Sequence, residues 1–351
     1  MDKIKVEDRI IGKGCPTFVI AEIGCNFEND YEKAKEMVTA AAAAGADAVK
    51  FQTFIPKKIV TKTAPKFWDI EGCPGETQLE EFNEMMLLTL SQYRELKKIA
   101  DESNMVFFST PSDEESADML EKLGVPLYKI SSMDLTHIPL IKHIAKKGKP
   151  IIISTGASTM EEIHEAVSAI ESEGNKQIII LHCVSNYPTA LENVNLAMIK
   201  SLMKEFPQYT IGYSDHTKMP ESKDVLVAAV AMGARVIEKH FTFDKNRPGY
   251  DHEISADYDD LRHLIEDIRV TEKIIGSETK MPTESEEKTR KYGRRSLVAA
   301  VYIKKGTIIT RDMISVKRPG TGIEPKFLEK IIGKRAKKSI GEDEVITWEA
   351  V

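Results

Sequence analysis

The chain has 351 residues, of which 42% are hydrophobic and 30% charged, and its formal net charge is −6. That balance excludes a disordered or low-complexity polypeptide, and no apolar run approaches the ~20 residues that span a bilayer. The opening MDKIKVEDRI is too polar for a secretory signal, and the four cysteines (Cys15, Cys25, Cys73, Cys183) form no CxxC pair, so the expectation is reduced thiols in a soluble cytoplasmic protein.

In chain order, the β-rich runs are FVIAEIG (18–24), AVKFQTF (48–54), MVFFST (105–110), LYKISS (127–132), PIIISTG (150–156), IIILHCV (178–184), TIGYSDH (210–216) and RVIEKHF (235–241). Each is short and largely apolar, and helix-length amphipathic sequence separates it from the next, the pattern of parallel strands with helical crossovers. The stretch YEKAKEMVTAAAAAG (31–45) is rich in alanine and ends on Gly45, suiting a helix with a glycine just past its end. TMEEIHEAVSAIESEG (159–174) opens with Thr159 and Glu162 at capping-box spacing. Eight such units over 1–276 predict an α/β fold, a (β/α)8 barrel. A doubly wound sheet is the second reading, but the glycines of IGKGCP precede the first strand and cannot form its phosphate-binding turn.

After Gly276 the pattern changes. Residues 277–292 are polar and read as a linker, and 293–351 read as a small domain of turns and short runs (SLVAAVYI, TIIT, EVITWE). From Arg290 onward there are 15 Lys and Arg against 7 Asp and Glu, so the tail carries +8 and the rest of the chain −14. A basic tail suits nucleic acid, anionic metabolites or an acidic surface of its own oligomer, or is simply a solvated face. It holds no RNP-type aromatic motif, helix-turn-helix or finger, which argues against nucleic acid.

Barrel enzymes place chemistry at the C-terminal ends of the strands. Here those ends supply Glu22; Lys50 and Gln52; Ser109 and Thr110; Lys129, Ser131 and Ser132; Ser154 and Thr155; His182 and Ser185; Ser214, Asp215 and His216; and Glu238, Lys239 and His240. Any one could be a satisfied polar residue, but their gathering at one end predicts an active site there. His216 and His240 end adjacent strands, and two imidazoles with open positions suit a catalytic metal; a hydrogen-bonded histidine pair is the alternative. Lys50 and Lys129, with Ser132, Ser154 and Ser214, suit a phosphate and a carboxylate. Glu22 is the only carboxylate ending the first strand, in place for general acid–base work.

These residues lie in VIAEIGCN (19–26), VKFQTF (49–54), ISTGA (153–157), HCVSNYPT (182–189), GYSDHT (212–217), EKHFTFDKNRPGYDHEIS (238–255) and VKRPGTGI (316–323). In this set and order the chain resembles the sialic acid synthase family, which makes nonulosonic (sialic, legionaminic and pseudaminic) acids. The resemblance implies condensation of phosphoenolpyruvate with the open-chain aldehyde of an N-acylated mannosamine-type sugar, releasing phosphate by C–O cleavage. It also implies that the tail is an antifreeze-like domain. By the same resemblance His216 and His240 hold a divalent ion, usually Mn²⁺, which polarises the aldehyde. Lys50, Lys129, Ser132, Ser154 and Ser214 grip phosphoenolpyruvate, and Glu22 is the acid/base. Gln52, Tyr187 and Asp251 contact the sugar, and Arg318 reaches into the partner's barrel in a domain-swapped homodimer. Asp134 and Ser185 stand where the best-known bacterial members carry Glu and Asn, so the acceptor is left open among N-acetylmannosamine, its 6-phosphate and 2,4-diacetamido-6-deoxy hexoses. Two rival readings are a Schiff-base aldolase using Lys129 and a non-catalytic carbohydrate- or ice-binding protein.

Overall fold

The computed structural model describes residues 3–66, 68, 75–85 and 88–351; Cys73 lies outside the described residues. The chain divides into two compact units, Met1–Gly276 and Ser277–Val351.

The first unit opens with a hairpin that the sequence reading passes over, β1 (Ile4–Val6) with β2 (Arg9–Ile11). Its short alternation buries Ile4, Val6 and Ile11 and leaves Lys5 exposed. Eight parallel strands follow: β3 (Phe18–Gly24), β4 (Ala48–Thr53), β5 (Val106–Pro111), β6 (Tyr128–Ile130), β7 (Ile151–Ser154), β8 (Ile178–Cys183), β9 (Thr210–Asp215) and β10 (Val236–His240). Their order is β5-β4-β3-β10-β9-β8-β7-β6, and β5 lies beside β6, so the sheet curls into a nearly closed (β/α)8 barrel. Nearly every strand residue is buried, as expected of strands covered on one face by helices and on the other by the barrel interior. The hairpin packs at the N-terminal end. There Asp47, just before β4, accepts from Arg9 at 2.7 Å, from Arg269 at 3.0 Å and from the Val19 amide at 2.9 Å.

The helices begin where local chemistry dictates. Thr159 caps Met160–Ser172 in a capping box with Glu162, and Asp30 caps Tyr31–Ala43. Asp113 caps Glu114–Leu123 and also accepts from the Ile55 amide at 2.8 Å, tying that helix to the end of β4. Among the described residues no helix is long and apolar enough to cross a membrane.

The second unit has its own small core, built on Leu297, Ile303, Ile309, Ile314, Ile340 and Ile346. One antiparallel pair, β11 (Ser296–Ala299) with β12 (Ile314–Lys317), is regular. The TIIT and EVITWE runs make only isolated bridges, Ile308 with Arg335 and Val345 with Val298, because turns interrupt them before a ladder can extend. Within 277–292, Glu284–Glu286 forms one helical turn and a second begins at Thr289.

Candidate active site

Successive residues of a strand point to opposite faces. That alternation sends Glu22 of β3, Lys50 and Gln52 of β4, Thr110 of β5 and Lys129 of β6 into one cavity of about 360 Å³ at the C-terminal ends of the strands. Ser154, Ser214, Glu238 and His240 join them from β7, β9 and β10, with His216 from just beyond β9. Loops supply Ser132, Asp134, Tyr187 and Asp251.

The cavity floor is a four-charge array. Lys129 Nζ donates to both carboxylate oxygens of Glu238, at 2.9 and 3.1 Å, and Ser214 Oγ adds a third bond at 3.0 Å. Lys50 Nζ lies 2.6 Å from Glu22 Oε2 and 3.9 Å from Glu238 Oε1, and donates to Thr110 Oγ1 at 3.1 Å. Burial opposes ionisation of Glu238, yet Lys129 and Lys50 outweigh it and pull its carboxyl down to about 2. Glu22 is different: burial, with Glu238 adding to it, holds its carboxyl above the usual range despite Lys50. Gln52 Nε2 donates to Glu22 Oε1 at 3.2 Å. Gly24 lets them meet, because its φ is +53° and a Cβ there would stand 3.1 Å from both. The array thus holds one carboxylate that stays ionised and one carboxyl set apart from it, the arrangement that separates proton-holding roles.

His216 and His240 close one side, their ring centroids 5.3 Å apart, with the Tyr187 ring 4.1 Å from His216. His216 Nδ1 donates to the Val184 carbonyl at 2.7 Å, which leaves Nε2 for another partner. His240 Nδ1 is buried with no hydrogen bond, 3.3 Å from Asp251 Oδ2, and burial, then His216 and the lysines, hold this imidazole well below its usual pKa and therefore neutral. One orphaned buried nitrogen and one oriented imidazole fit a divalent ion with open positions. Among the described residues no third His, Cys, Asp or Glu completes a three-ligand cluster.

Opposite the histidines, Gly156 N–H donates to Ser132 Oγ at 2.9 Å, and Ser154 Oγ is buried without a partner. Ser185 does not line the cavity; its Oγ sits over Gly156, where any side chain would collide with it. Asp134 accepts from Ser131 at 2.8 Å, and burial raises its carboxyl against that bond. Arg318 is an exposed residue of the second unit.

Several strand-end residues expected at the mouth face the helices instead. Asp215 and Lys239 pair on the outer face, His182 meets the Val194 carbonyl at 2.8 Å, and Thr155 Oγ1 donates to the Leu181 carbonyl at 2.9 Å. Ser109 bonds Thr53 at 2.7 Å, likewise away from the cavity. Period-2 alternation is the cause in β5, β9 and β10. The same alternation identifies Glu238, two residues before His240, as the partner of Lys129, a role that strand-end position alone does not single out. Phe54, Ile59, Trp68 and Phe82 form an apolar outer wall for which no periodic signal exists.

Residues 37–280 match the NeuB family and 294–351 match the SAF domain. The chain is 40% identical to the N,N'-diacetyllegionaminic acid synthase of Campylobacter jejuni, over 94% of this chain and 98% of that one. It is 35% identical to the human N-acetylneuraminate-9-phosphate synthase, over 98% and 95%. Among solved structures, the N-acetylneuraminic acid synthetase of Leptospira borgpetersenii superposes with a TM-score of 0.74 at 33% identity, covering 82% of this chain and 94% of that one.

Proposed function

The chain belongs to the NeuB, or sialic acid synthase, family, and we propose that it condenses phosphoenolpyruvate with the aldehyde of an N-acylated amino sugar to give a nine-carbon 2-keto sugar acid and phosphate. The observation that carries this reading is the floor array: two ammonium groups, one firmly ionised carboxylate and one carboxyl of raised pKa beside a histidine pair.

Lys50 and Lys129 supply compact positive charge for the phosphate and carboxylate of phosphoenolpyruvate, with Ser132, Ser154, Ser214 and Thr110 donating around it. Glu238 holds Lys129 in place until substrate arrives. C3 of phosphoenolpyruvate attacks the aldehyde carbon, whose oxygen takes up a proton, and water adds at C2 and gives one up. Glu22, beside Lys50, is placed to pass these protons. The C2 adduct then loses phosphate with its bridging oxygen while its C2 hydroxyl gives up its proton to the departing phosphate, which leaves the 2-keto acid. A divalent ion on His216 and His240, Mn²⁺ by preference, would act as Lewis acid toward the aldehyde oxygen. Gln52, Asp134, Tyr187 and Asp251 are proposed to face the sugar, whereas Ser185, packed over Gly156 outside the cavity lining, is not. A homodimer with exchanged tails, in which Arg318 serves the partner, completes the proposal.

Mixing the protein with phosphoenolpyruvate, Mn²⁺ and a candidate acceptor should release phosphate in proportion to acceptor consumed. A Schiff-base aldolase would instead be trapped on Lys129 by borohydride with pyruvate, a result incompatible with this reading.

A further inference from the structure

Asn26 and Glu28, in the turn after β3, do not line the cavity, yet both hold the loop that carries Asp251. That loop leaves β10 and returns through a parallel bridge of Phe241 with Ala256, just before helix Tyr258–Ile275 begins. Asn26 is fully buried. Its Nδ2 donates to the Phe241 carbonyl at 3.0 Å and to Ser255 Oγ at 2.9 Å, and its Oδ1 accepts from the Asp251 amide at 3.0 Å. The Asp251 amide can only donate and the Phe241 carbonyl can only accept, so a single orientation of the Asn26 amide satisfies both. Ser255 Oγ in turn donates to the Asp251 carbonyl at 2.6 Å. Both backbone polar groups of Asp251 are therefore held by side chains, one by Asn26 and one by the serine that Asn26 bonds.

Glu28 fastens the same loop one residue further on. His252 Nε2 donates to Glu28 Oε1 at 3.2 Å, Arg247 Nε lies 2.7 Å from the same oxygen, and His252 Nδ1 pairs with Thr242 Oγ1 at 2.7 Å. Between these clasps Tyr250 has a φ of +50°, a left-handed conformation that an aromatic residue rarely adopts. Such backbone persists where its surroundings over-determine it, and the bonds on Asp251 and His252 do so. The Asp251 carboxylate is thereby set into the cavity wall, its Oδ2 3.3 Å from His240 Nδ1.

Resting on the reading of Asp251 as a sugar contact, we infer that Asn26 is a positioning residue for the acceptor: from behind the cavity wall it fixes the backbone of Asp251 and so the place of its carboxylate. The same turn continues the strand that carries Glu22, whose carbonyl accepts from the Phe241 amide at 2.7 Å. One brace thus ties the proton-passing residue to the sugar contact. Without the Asn26 amide the Asp251 N–H and the Phe241 carbonyl lose these partners, and the carboxylate shifts. A displacement of order 1 Å at a group that holds substrate costs up to about 10²-fold. Lys50, Lys129 and Ser154, proposed to hold phosphoenolpyruvate, stand on β4, β6 and β7 and are not touched by the change.

A double-mutant cycle of Asn26→Ala with Asp251→Ala tests this. It is read by phosphate release with whichever of N-acetylmannosamine, its 6-phosphate and a 2,4-diacetamido-6-deoxy hexose turns over. Asn26→Ala should lower kcat/KM for the acceptor by about 10–100-fold, while the KM for phosphoenolpyruvate stays within about twofold of the parent value. In the Asp251→Ala background the same substitution should cost less than about threefold, because the residue it positions is gone. Ser255→Ala, which removes the bond to the Asp251 carbonyl, should show the same split between substrates and the same dependence on Asp251, and it decides the matter if Asn26→Ala does not fold. No penalty, a penalty undiminished by Asp251→Ala, or one that falls equally on both substrates would overturn the inference and leave the reaction standing. Asp251→Ala as active as the parent would remove Asp251 from the sugar site, and this inference with it. No phosphate release by the parent protein with any of the three acceptors would overturn the reaction itself and the inference that rests on it.

Discussion

Lys239 and Asp215 face each other across β10 and β9 as register partners, Nζ 2.7 Å from Oδ2, with neither side chain exposed to solvent. Asp215 also accepts from Ser222 at 2.6 Å and from Thr217 at 2.9 Å, and Lys239 donates to the Thr217 carbonyl at 2.6 Å. On the opposite face of the same two strands the register pair is Ser214 with Glu238, inside the cavity. One buried ion pair therefore anchors the strand ends that carry the floor carboxylate and both histidines.

Breaking that anchor should be costly. Lys239→Met leaves Asp215 buried without its cation, and the loss should be about 3–5 kcal/mol in chemical denaturation. A loss below 1 kcal/mol would show that Ser222, Thr217 and Tyr213 suffice to hold the carboxylate.

Glu22→Gln keeps the shape of the side chain and removes its proton chemistry. Turnover should fall by about 10²–10⁴-fold, while the KM for phosphoenolpyruvate stays close to that of the parent protein. Half of the original kcat in this variant would reduce Glu22 to a positioning residue.

The histidine pair is testable without turnover. Mn²⁺ binding to the metal-free protein, followed by electron paramagnetic resonance, should weaken by at least about 100-fold in His216→Ala or His240→Ala. In the parent protein a chelator should abolish phosphate release, with Mn²⁺ restoring it better than Mg²⁺, because imidazole nitrogen suits the later metals. Unchanged Mn²⁺ affinity in both variants would place the ion elsewhere.

Asp134 should trade stability for function. Burial raises its carboxyl pKa despite the Ser131 and Ser112 hydroxyls. The fold therefore favours the protonated form, and the stability contributed by this group is full below the ordinary Asp value near ~3.9 and lost as pH rises through the folded value. Asp134→Asn imitates the protonated state. It should melt at a higher temperature than the parent at pH 7, with the difference closing in acid below pH ~4, and it should use the acceptor less well. An equal melting temperature at pH 7 would remove the argument.

The barrel was legible because each strand is an apolar run between amphipathic stretches, and all eight runs, from FVIAEIG to RVIEKHF, contain a strand. Which strand-end residues share the cavity was legible only in part. Glu22, Lys50, Lys129 and Ser214 were placed by strand-end position, but that rule also selected Asp215 and Lys239, which alternation turns outward. The hairpin of Ile4–Val6 and Arg9–Ile11 escaped because three-residue strands give no measurable period. The outer wall escaped for a related reason: Trp68, Gln78 and Phe82 lie in the long excursion after β4, where tertiary packing alone decides which side chains meet.

In the proposed condensation it is the C–O bond of phosphoenolpyruvate that breaks. Phosphoenolpyruvate labelled with ¹⁸O at the bridging position, incubated with the protein, Mn²⁺ and an acceptor, tests it in one step. The label should leave entirely with the phosphate, and water should supply the new oxygen at C2. Label retained in the 2-keto product would mean P–O cleavage and would contradict it.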